Sequence, residues 1–382
     1  MVFRPRVRAV LFWIHLALGL SAALPILVLC ITGALLAYQL QIVAWLDHRG
    51  IESHPSATGS PALAVEQLIE ITHKNRGVNP ESVTIFRDPA RPVEIEIKAI
   101  PGPVYLDAYS GSVIGGPSRK ARQFFQKIAA WHVFLGVTGS HRSQFRAVVR
   151  AVNAAALLSL ILGICLWLPR RWTWPHLRAV ALPRWGVPGR ARDFNWHNTI
   201  GIWSAIPLLV IVWTAMAMSY NWASRLTNWN SSLSAAATQG TQNAEPKKTQ
   251  PANLDALFSR ATQQDPHWKA ITIFMPHQDS DAVHFAIQMK NYIGIGTVAG
   301  LMLDRSGNAL YFTPAGAAGI SPATFIRFGH TGEAWGFAGQ TIAALASLGG
   351  AILVWTGLAL SLRRWKTARS RKRNRVHIDF TQ

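Results

Sequence analysis

The sequence is poor in charged residues and in cysteine. Asp, Glu, Lys and Arg make up only 15% of the 382 residues, against 49% hydrophobic residues and a mean hydropathy of +0.16. This composition excludes an intrinsically disordered chain and does not suit an ordinary soluble protein. The two cysteines, Cys30 and Cys165, exclude a disulfide-bonded scaffold, and both lie inside long apolar stretches. We therefore expect no extramembrane disulfide.

Acidic residues are also scarce. The chain has 38 Lys and Arg against 18 Asp and Glu, which gives a formal net charge of +20. An excess of this size is typical of nucleic-acid-binding proteins. Many of the basic residues, however, form three short blocks beside long apolar segments, at 4–8, 170–192 and 363–375. This placement indicates membrane topology, and we expect no nucleic-acid partner.

Four apolar segments are each long enough to cross a bilayer as a helix, which takes about 20 residues. They are 9–38, 147–168, 198–219 and 335–362. The positive-inside rule places all three basic blocks, and so both termini, in the cytoplasm. No small-x-small cleavage site follows the first segment, so we interpret it as a membrane helix and not as a signal peptide. The sequence thus predicts an α-helical membrane protein with four transmembrane helices.

An internal repeat relates the first apolar segment to the third. Aligning His15 with His197 produces four further identities without a gap: Gly19 with Gly201, Pro25 with Pro207, Thr32 with Thr214, and Tyr38 with Tyr220. The pattern His-x-x-x-Gly occurs again at His132 and Gly136, and a looser form occurs at 329–332. We therefore predict two tandem repeats, each made of a helix, an external domain and a second helix.

The two polar segments between the spans are predicted to be small α+β domains on the far side of the membrane. The predicted helix and strands of the first are 62–74, 82–87, 93–98 and 103–107, and those of the second are 253–264, 270–275, 282–289 and 299–304. Each domain ends in a hairpin with an Asp and a Ser-Gly turn, at 104–111 and at 301–307. Residues 231–251, rich in Ser, Ala, Thr and Gln, are predicted to be a flexible linker.

These features resemble the PepSY-associated transmembrane proteins of bacteria. The resemblance rests on His-x-x-x-Gly at His15 and His197, the two Asp and Ser-Gly hairpins, the Gly-His-Thr-Gly-Glu run at 329–333, and Thr-Gly at 32–33 and 356–357. It covers nearly the whole chain, and the member nearest in layout is a ferrisiderophore reductase that holds two haems. The resemblance implies a multi-pass protein of the bacterial inner membrane with two periplasmic PepSY-like domains, at 46–118 and within 221–329.

The remaining segments follow from these assignments. The predicted order is 1–45 for the N-terminus and first transmembrane helix, 119–146 for a periplasmic interfacial segment, 147–169 for the second helix, 170–195 for a basic cytoplasmic loop, 196–220 for the third helix, 330–362 for the fourth, and 363–382 for a basic cytoplasmic tail.

Histidines inside the predicted spans carry the chemical signal. A polar side chain at membrane depth is costly and marks a function by default. His15 and His197 occupy repeat-related positions near the cytoplasmic face, and Gly19 and Gly201 follow them at i+4 on the same helical face. Glycine there leaves room for a flat macrocycle, and a neutral imidazole nitrogen is a normal axial ligand of haem iron. The alternative is that each histidine only hydrogen-bonds a neighbouring helix.

A second pair is predicted at the outer face, between His330 and either His132 or His141. An inner and an outer pair are the arrangement needed for two bis-histidine b-type haems, with irons about 20 Å apart in a 30 Å hydrocarbon layer. Without a C-x-x-C-H motif, covalent haem attachment is excluded. Four arginines near these pairs are candidates to bind the haem propionates, although snorkelling explains them equally well. They are Arg142, Arg146 and Arg150 at the outer face and Arg192 at the inner face.

The chain lacks a G-x-G-x-x-G loop, so the cytoplasmic electron donor must be another protein or a diffusible small molecule. The family resemblance implies a ferric siderophore as the periplasmic acceptor, from which ferrous iron would be released. Two alternatives stay open. One is a non-enzymatic PepSY membrane sensor or assembly protein with structural histidines, and the other is a haem-b electron-transfer subunit for another periplasmic acceptor.

Overall fold

The computed structural model describes residues 5–54, 61–168, 173–227, 253–276, 282–290, 297–314 and 322–379. The predicted linker at 231–251, together with Arg170 and Arg171, lies outside these residues. The helices of the first half are α1 (Pro5–Ser21), α2 (Ala23–Leu36), α3 (Gln39–His48), α4 (Val65–Arg76), α5 (Arg119–Phe134) and α6 (Arg142–Trp167). Those of the second half are α7 (Trp174–Ala181), α8 (Gly189–Ser219), α9 (Asn221–Thr227), α10 (Leu254–Gln264), α11 (Pro322–Thr331) and α12 (Gly336–Asp379).

Four helical segments of the described chain are long and apolar enough to cross a membrane. They are Ala23–His48, Gly139–Trp167, Gly189–Ser219 and Glu333–Ser370. The prediction of four candidate membrane helices is therefore confirmed. Three of them begin or end beyond the predicted limits: α6 and α8 begin earlier, and α12 continues as a helix through the basic segment predicted as a tail.

The first span differs from its prediction over 9–38: the candidate span is Ala23–His48, and His15 lies before it in α1. The helix is interrupted at Ala22 and again at residues 37–38. Proline has no N–H and its ring displaces the carbonyl four residues earlier, so Pro25 prevents the helix from closing on Ser21. Helical hydrogen bonds nevertheless continue across the break, since Ala22 N donates to the Leu18 carbonyl and the Ala22 carbonyl accepts from Ile26 N. The chain from α1 to α3 therefore continues in helical form.

The extramembrane strands form one sheet. The strands are β1 (Ser82–Phe86), β2 (Val93–Glu96), β3 (Val104–Leu106), β4 (Val113–Gly115), β5 (Ala270–Phe274), β6 (Ala282–Gln288), β7 (Val298–Asp304) and β8 (Ala309–Thr313). Their order is β4-β3-β2-β1-β5-β6-β7-β8, with every neighbouring pair antiparallel. The expectation of two separate domains is thus corrected: β1 of the first half pairs with β5 of the second.

An approximate two-fold relation passes through this central pair of strands. Thr84 of β1 lies opposite Thr272 of β5, and their hydroxyls are 2.8 Å apart. On one face of the sheet α4 and α10 cap each other, because Val65 N donates to the Asp255 carboxylate and Leu254 N donates to the Glu66 carboxylate. Each acidic side chain satisfies an N–H that its partner helix leaves unpaired. This exchange fixes the two halves to each other.

The core of the sheet lies beneath α4 and α10. Alternate residues of β2, β6 and β7 are buried in it, as the two-residue period of a β-strand predicts. In the first half the buried residues include Leu68, Val83, Val93, Ile95 and Val104, and in the second they include Leu257, Ile271, Val283, Phe285 and Leu301. The strands predicted from the sequence therefore supply most of the buried residues of this core.

Both predicted hairpins are present. Gly111 has φ 69° in the β3–β4 turn, and Gly307 has φ 84° in the β7–β8 turn. Positive φ favours glycine because a Cβ atom would clash. Asp107 accepts from the backbone of Tyr109 and Ser110, and Asp304 accepts from Asn308. These are the contacts expected of Asp in a tight turn.

The membrane helices pack into one bundle. α8 contacts α12, α6 and α11, α2 contacts α12 and α5, and α1 contacts α6. Close approach is visible where α2 meets α12, since a Cβ on Gly350 would lie 2.7 Å from Cys30 Sγ. Cys30 and Cys165 are both free thiols within membrane helices, as expected. The bundle brings together residues more than one hundred positions apart in sequence.

Candidate functional site

Two pairs of histidines lie between the helices of the bundle. In the inner pair, His15 of α1 faces His197 of α8, with ring centroids 6.3 Å apart and ring planes at 73°. In the outer pair, His132 of α5 faces His330 of α11, with centroids 6.1 Å apart and planes at 60°. The structure therefore brings the predicted inner residues together, and it selects His132 as the neighbour of His330.

The inner pair lies near the end of the bundle that carries arginines, here called the arginine end. Arg8 donates to the Leu166 carbonyl at 2.6 Å, near the last turn of α6. The outer pair belongs to the opposite end, where α5 follows directly from β4 and α11 leads into α12. We call this the sheet end. The two pairs thus lie toward opposite ends of the bundle.

Every one of the four imidazoles is oriented by a hydroxyl or carbonyl of a neighbouring helix. His132 Nδ1 is 2.9 Å from Thr32 Oγ1, and His197 Nδ1 is 2.9 Å from Thr356 Oγ1. The other two contacts are made to α6 and α8: His15 Nδ1 lies 3.0 Å from the Ser159 carbonyl, and His330 Nδ1 lies 2.9 Å from the Ile211 carbonyl and 3.2 Å from Thr214 Oγ1. Nδ1 therefore points away from the opposite ring in all four cases.

These contacts determine which ring nitrogen carries the proton. A carbonyl oxygen only accepts, so His15 and His330 donate from Nδ1. Thr32 already donates its hydroxyl proton to the Val28 carbonyl at 2.6 Å, and Thr356 donates to Ile352 at 2.8 Å. Their oxygens consequently accept from the two remaining imidazoles. All four histidines keep the Nε2 lone pair available, which is the form that binds a metal.

The spacing within each pair fits one metal ion between two rings. A metal–imidazole bond is about 2 Å and the ring centroid lies roughly 1 Å further, so rings on opposite sides of one ion have centroids about 6 Å apart. The observed separations are 6.3 and 6.1 Å. The described residues contain no group of three or more His, Cys, Asp or Glu that could hold a metal. Each pair thus offers two imidazoles as possible metal ligands.

Glycines leave space around the imidazoles. Gly19 has open space where its Cβ would be, and a Cβ on Gly201 would meet only Leu353 at 3.6 Å. Further glycines lie behind the rings: a Cβ would approach Cε1 of the facing histidine to 3.3 Å at Gly33, 3.4 Å at Gly163 and 3.5 Å at Gly357. These close approaches explain Thr-Gly at 32–33 and 356–357, where threonine orients a ring and glycine lets it lie against the helix.

The third occurrence of His-x-x-x-Gly has a different role. α5 ends at Phe134, so Gly136 is not on a helical face with His132. Gly136 instead has φ 80° and follows Leu135, which has φ 51°. A Cβ at Gly136 would lie 2.6 Å from Trp131 Cε2. This glycine turns the chain from α5 toward α6, and the pattern at this position does not form the surface of a ring pocket.

The remaining predicted residues separate into those near the outer pair and those elsewhere. His141 is exposed and its Nδ1 lies 2.9 Å from Gln144 Oε1, so it does not pair with His330. Arg142 and Arg146 place their guanidinium groups 4.6 and 5.1 Å from the ring centre of Phe134, two residues after His132. These two arginines remain candidates for a propionate partner beside the outer pair.

Arg192 and Arg150 have other surroundings. Arg192 binds Asp193 Oδ1 at 3.1 Å, and Arg363 approaches Asp193 Oδ2 to 3.2 Å. Arg192 thus already has a carboxylate partner at the arginine end. Arg150 is partly buried in α6, and its Nε forms no hydrogen bond with the described chain.

A buried ion pair that the sequence analysis missed connects the outer pair to the sheet. Asp47, at the end of α3, is buried and binds Arg122 of α5, the helix that carries His132. Asp47 also accepts from Ser118 N at 2.6 Å and from the Tyr105 hydroxyl of β3 at 3.4 Å. Burial raises the pKa of Tyr105, and the nearby carboxylates raise it further, so the phenol stays a donor. A single acidic residue in a polar stretch gave no signal for this contact.

Comparison with known protein families accounts for most of the chain. The PepSY-associated TM region matches residues 12–364, which include all four histidines and the sheet. The chain belongs to this family. No curated protein matches it significantly. Membership supports the four-span membrane architecture and by itself assigns no cofactor, substrate or reaction.

Proposed function

We propose that this protein is a di-haem oxidoreductase of the bacterial inner membrane. It would carry electrons from a donor at the arginine end to a ferric siderophore at the sheet end and release ferrous iron. The observation that carries the proposal is the matched geometry of the two histidine pairs, with centroids 6.3 and 6.1 Å apart and Nδ1 hydrogen-bonded in all four rings. A purely structural role for the histidines would not require Nε2 atoms to be left free in opposed pairs.

The residues supply ligation, orientation and space. Two haems of the b type, when bound, would each exchange one electron between ferric and ferrous iron. His15 with His197, and His132 with His330, would hold one haem each through Nε2. Thr32, Thr356 and the Ser159 and Ile211 carbonyls fix the ring orientations. A haem held by two histidines would suit electron transfer and not oxygen chemistry.

The distribution of ligands supports a tandem origin for the two halves. The first half contributes His15 and His132, and the second half contributes His197 and His330. Each pair therefore contains one histidine from each half of the chain, just as the central strand pair of the sheet contains β1 from the first half and β5 from the second. We infer from the positive-inside rule that the arginine end is cytoplasmic and the sheet periplasmic. The substrate class rests on the family resemblance.

Haem content and chelate reduction test the proposal together. The full chain is purified in detergent, and haem per protein is measured as the pyridine haemochromogen. We expect two b-type haems, a dithionite-reducible Soret band, and reoxidation by an anaerobic ferric hydroxamate with ferrous iron trapped by a chromogenic chelator. A folded, colourless protein would exclude the di-haem function and favour the membrane sensor. Two reducible haems that no ferric chelate reoxidises would favour a subunit that serves another acceptor.

Sidedness needs its own measurement. Reporter fusions after residues 60 and 240 should report a periplasmic location, and fusions after 180 and 370 a cytoplasmic one, because the basic blocks at 4–8, 170–192 and 363–375 all flank the same end of the spans. A periplasmic signal after residue 180 would contradict the assignment of inner and outer pairs.

A further inference from the structure

A cavity lies on the outer surface of α8 and α12, beside the inner pair. Its volume is about 440 Å³, within the range of about 300 to 1,000 Å³ that is usual for small-molecule sites. It is lined by Arg192, Asp193, Trp196, Leu348, Ala351, Ile352, Trp355 and Thr356. Aromatic and aliphatic side chains thus form most of the wall, and the charged groups lie together at one end.

The cavity opens sideways, toward the bilayer. Trp355 is 70% exposed, Leu348 47% and Ile352 37%, and all three lie in the candidate span Glu333–Ser370. Apolar side chains exposed on a membrane span face lipid. We therefore expect a molecule that reaches this cavity through its open side to be soluble in the membrane, unlike a protein or a nicotinamide nucleotide.

The polar end of the cavity holds a buried carboxylate with spare capacity. Asp193 is only 5% exposed, and its Oδ1 accepts from Arg192 at 3.1 and 3.2 Å. Oδ2 is buried, lies 3.2 Å from Arg363 Nη2 and forms no hydrogen bond with any residue that the structure describes. A carboxylate oxygen accepts more than one hydrogen bond. Asp193 is thus the acidic residue in the cavity wall, and its carboxylate is the group to which we expect a ligand hydroxyl to donate a hydrogen bond.

The cavity also reaches the back of an inner histidine. Thr356 forms part of its wall, and the same hydroxyl group contacts His197 Nδ1 at 2.9 Å. Asp193 precedes His197 by four residues in α8 and so lies on the same helical face. A ligand in the cavity is consequently separated from the imidazole by little more than one side chain, a distance suited to electron transfer.

From these observations we propose that the cavity binds a membrane-soluble quinol, which is the electron donor to the inner pair. The inference rests on the proposed function, since the acceptor is the ferric haem held by His15 and His197. The quinol is oxidised to quinone by losing two electrons and two protons. The two electrons, given up one at a time, would be taken by the haem that His15 and His197 would hold. One hydroxyl proton goes to Asp193 and then to water at the arginine end, and the other goes to water directly.

A second groove on the same helices provides a matched control. Leu345, one turn before Leu348 in α12, lines a groove of about 570 Å³ with Trp185 and Trp203 but no charged residue. Leu348→Trp should fill the first cavity, whereas Leu345→Trp should fill only the groove. Asp193→Asn keeps the size of the side chain but removes its charge. A charge-assisted hydrogen bond contributes roughly a tenfold or larger change in affinity.

The test measures binding and reduction separately on the purified full chain. Binding of a decyl-chain benzoquinone is measured by calorimetry in detergent, with decylbenzene as a chain-only competitor. We expect Leu348→Trp and Asp193→Asn to weaken binding about tenfold or more, Leu345→Trp to change it less than about twofold, and decylbenzene to compete poorly. Under anaerobic conditions the corresponding quinol should reduce the haem of the wild type, as followed by the haem absorption bands. The haem of Leu348→Trp should be reduced much more slowly.

Two outcomes would overturn the quinol site. One is binding that neither Leu348→Trp nor Asp193→Asn weakens, and the other is displacement by decylbenzene as efficient as by quinone, which would identify the cavity as a lipid groove. Failure of the proposed di-haem function can be distinguished from failure of the quinol site. A haem-free protein that binds quinone at this cavity contradicts the di-haem function, whereas a dithionite-reduced protein that reduces ferric chelates without binding quinone contradicts only the donor.

Discussion

The inner and outer histidine pairs have nearly the same geometry but are built from different parts of the molecule. The inner histidines lie well inside α1 and α8, two helices related by the sequence repeat. The outer histidines lie close to the ends of α5 and α11, which stop two and one residues beyond them. The same spacing of two imidazoles can therefore be fixed either within long helices or at helix ends held in tertiary contacts.

The contacts of α5 show what a helix end requires. Leu135 and Gly136 adopt positive φ and terminate the helix, and Arg122 anchors its first turn to buried Asp47. The helix α11 ends likewise before Gly332, with φ 79°, whose Cβ would clash with the backbone of Gly339 at 2.4 Å. These contacts support the helix ends that carry the outer pair, and we expect the outer pair to be more sensitive than the inner pair to their loss.

Replacing one of the four paired histidines should have the largest effect, and the number of haems lost should be the same for the inner and the outer pair. Alanine at His15, His197, His132 or His330 should remove about one of the two haems, because a single axial bond remains. Pyridine haemochromogen analysis of each purified variant measures the loss. The double variant of the inner pair should lose little more haem than either single variant, since both changes affect one site.

His141→Ala is the matched control for this series. His141 is exposed and bonded to Gln144, so we expect two haems in this variant. Two haems retained in both His15→Ala and His197→Ala would contradict the inner pair. One haem lost in His141→Ala, with two retained in His132→Ala, would reverse the assignment of the outer ligand.

The next effect is directional and separates the roles of the pairs. If electrons leave from the sheet end, His132→Ala or His330→Ala should abolish reduction of ferric chelate while the inner haem remains reducible. His15→Ala should block oxidation of the donor, yet leave an outer haem that transfers its electron to the chelate once dithionite has reduced it. Stopped-flow reoxidation by a ferric hydroxamate measures both. An outer-ligand variant reoxidised as fast as the wild type would show that the chelate does not take electrons there.

Breaking the anchor of α5 should affect the outer pair selectively. Asp47→Ala leaves the Arg122 charge without its buried partner, and removing one member of a buried ion pair costs about 3 to 5 kcal/mol. We expect a lower thermal midpoint and preferential loss of the outer haem. The control is Arg119→Ala, an exposed residue in the first turn of the same helix. Equal loss of both haems would show that the sheet supports the whole bundle and not the outer pair.

The smallest effect should come from the hydroxyls behind the rings. Thr32→Val and Thr356→Val keep the side-chain shape but remove the acceptor for His132 and His197 respectively. Loss of such a contact typically weakens metal binding about 10- to 100-fold. Each variant should change the low-temperature electron paramagnetic resonance signal of its own haem only. Serine at either position should restore the signal, and a change in both haems from one variant would contradict independent orientation.

Local pattern predicted much of the fold. Apolar length found the four spans, alternation found six of the eight strands, and Asp with Ser-Gly found both hairpins. These features depend on near neighbours in sequence, so composition and periodicity are sufficient. The limits of the helices were less well predicted. The basic segment after residue 363 continues α12, because no proline or glycine between 363 and 379 stops the helix.

The inner pair was predictable for a related reason. His15 and His197 occupy equivalent positions in an ungapped repeat, so the sequence itself indicates that the two histidines have the same role. The outer pair has no such relation, and the sequence left His132 and His141 as alternatives for His330. The left-handed turn at Leu135 and Gly136 decides between them, because it ends α5 so that His132 faces the bundle and His141 remains at the surface.

By itself, the sequence determined a four-span membrane protein with two sets of strands and histidines at two depths. Only the tertiary structure decided that the strands join through β1 and β5, that Asp47 binds Arg122, and that threonines or carbonyls from other helices orient each imidazole. The physical reason is that these contacts join residues far apart in sequence. How whole elements pack decides which strands pair, which buried ion pairs form and which side chains hydrogen-bond between helices. The residue pattern within one element does not identify the element against which it packs.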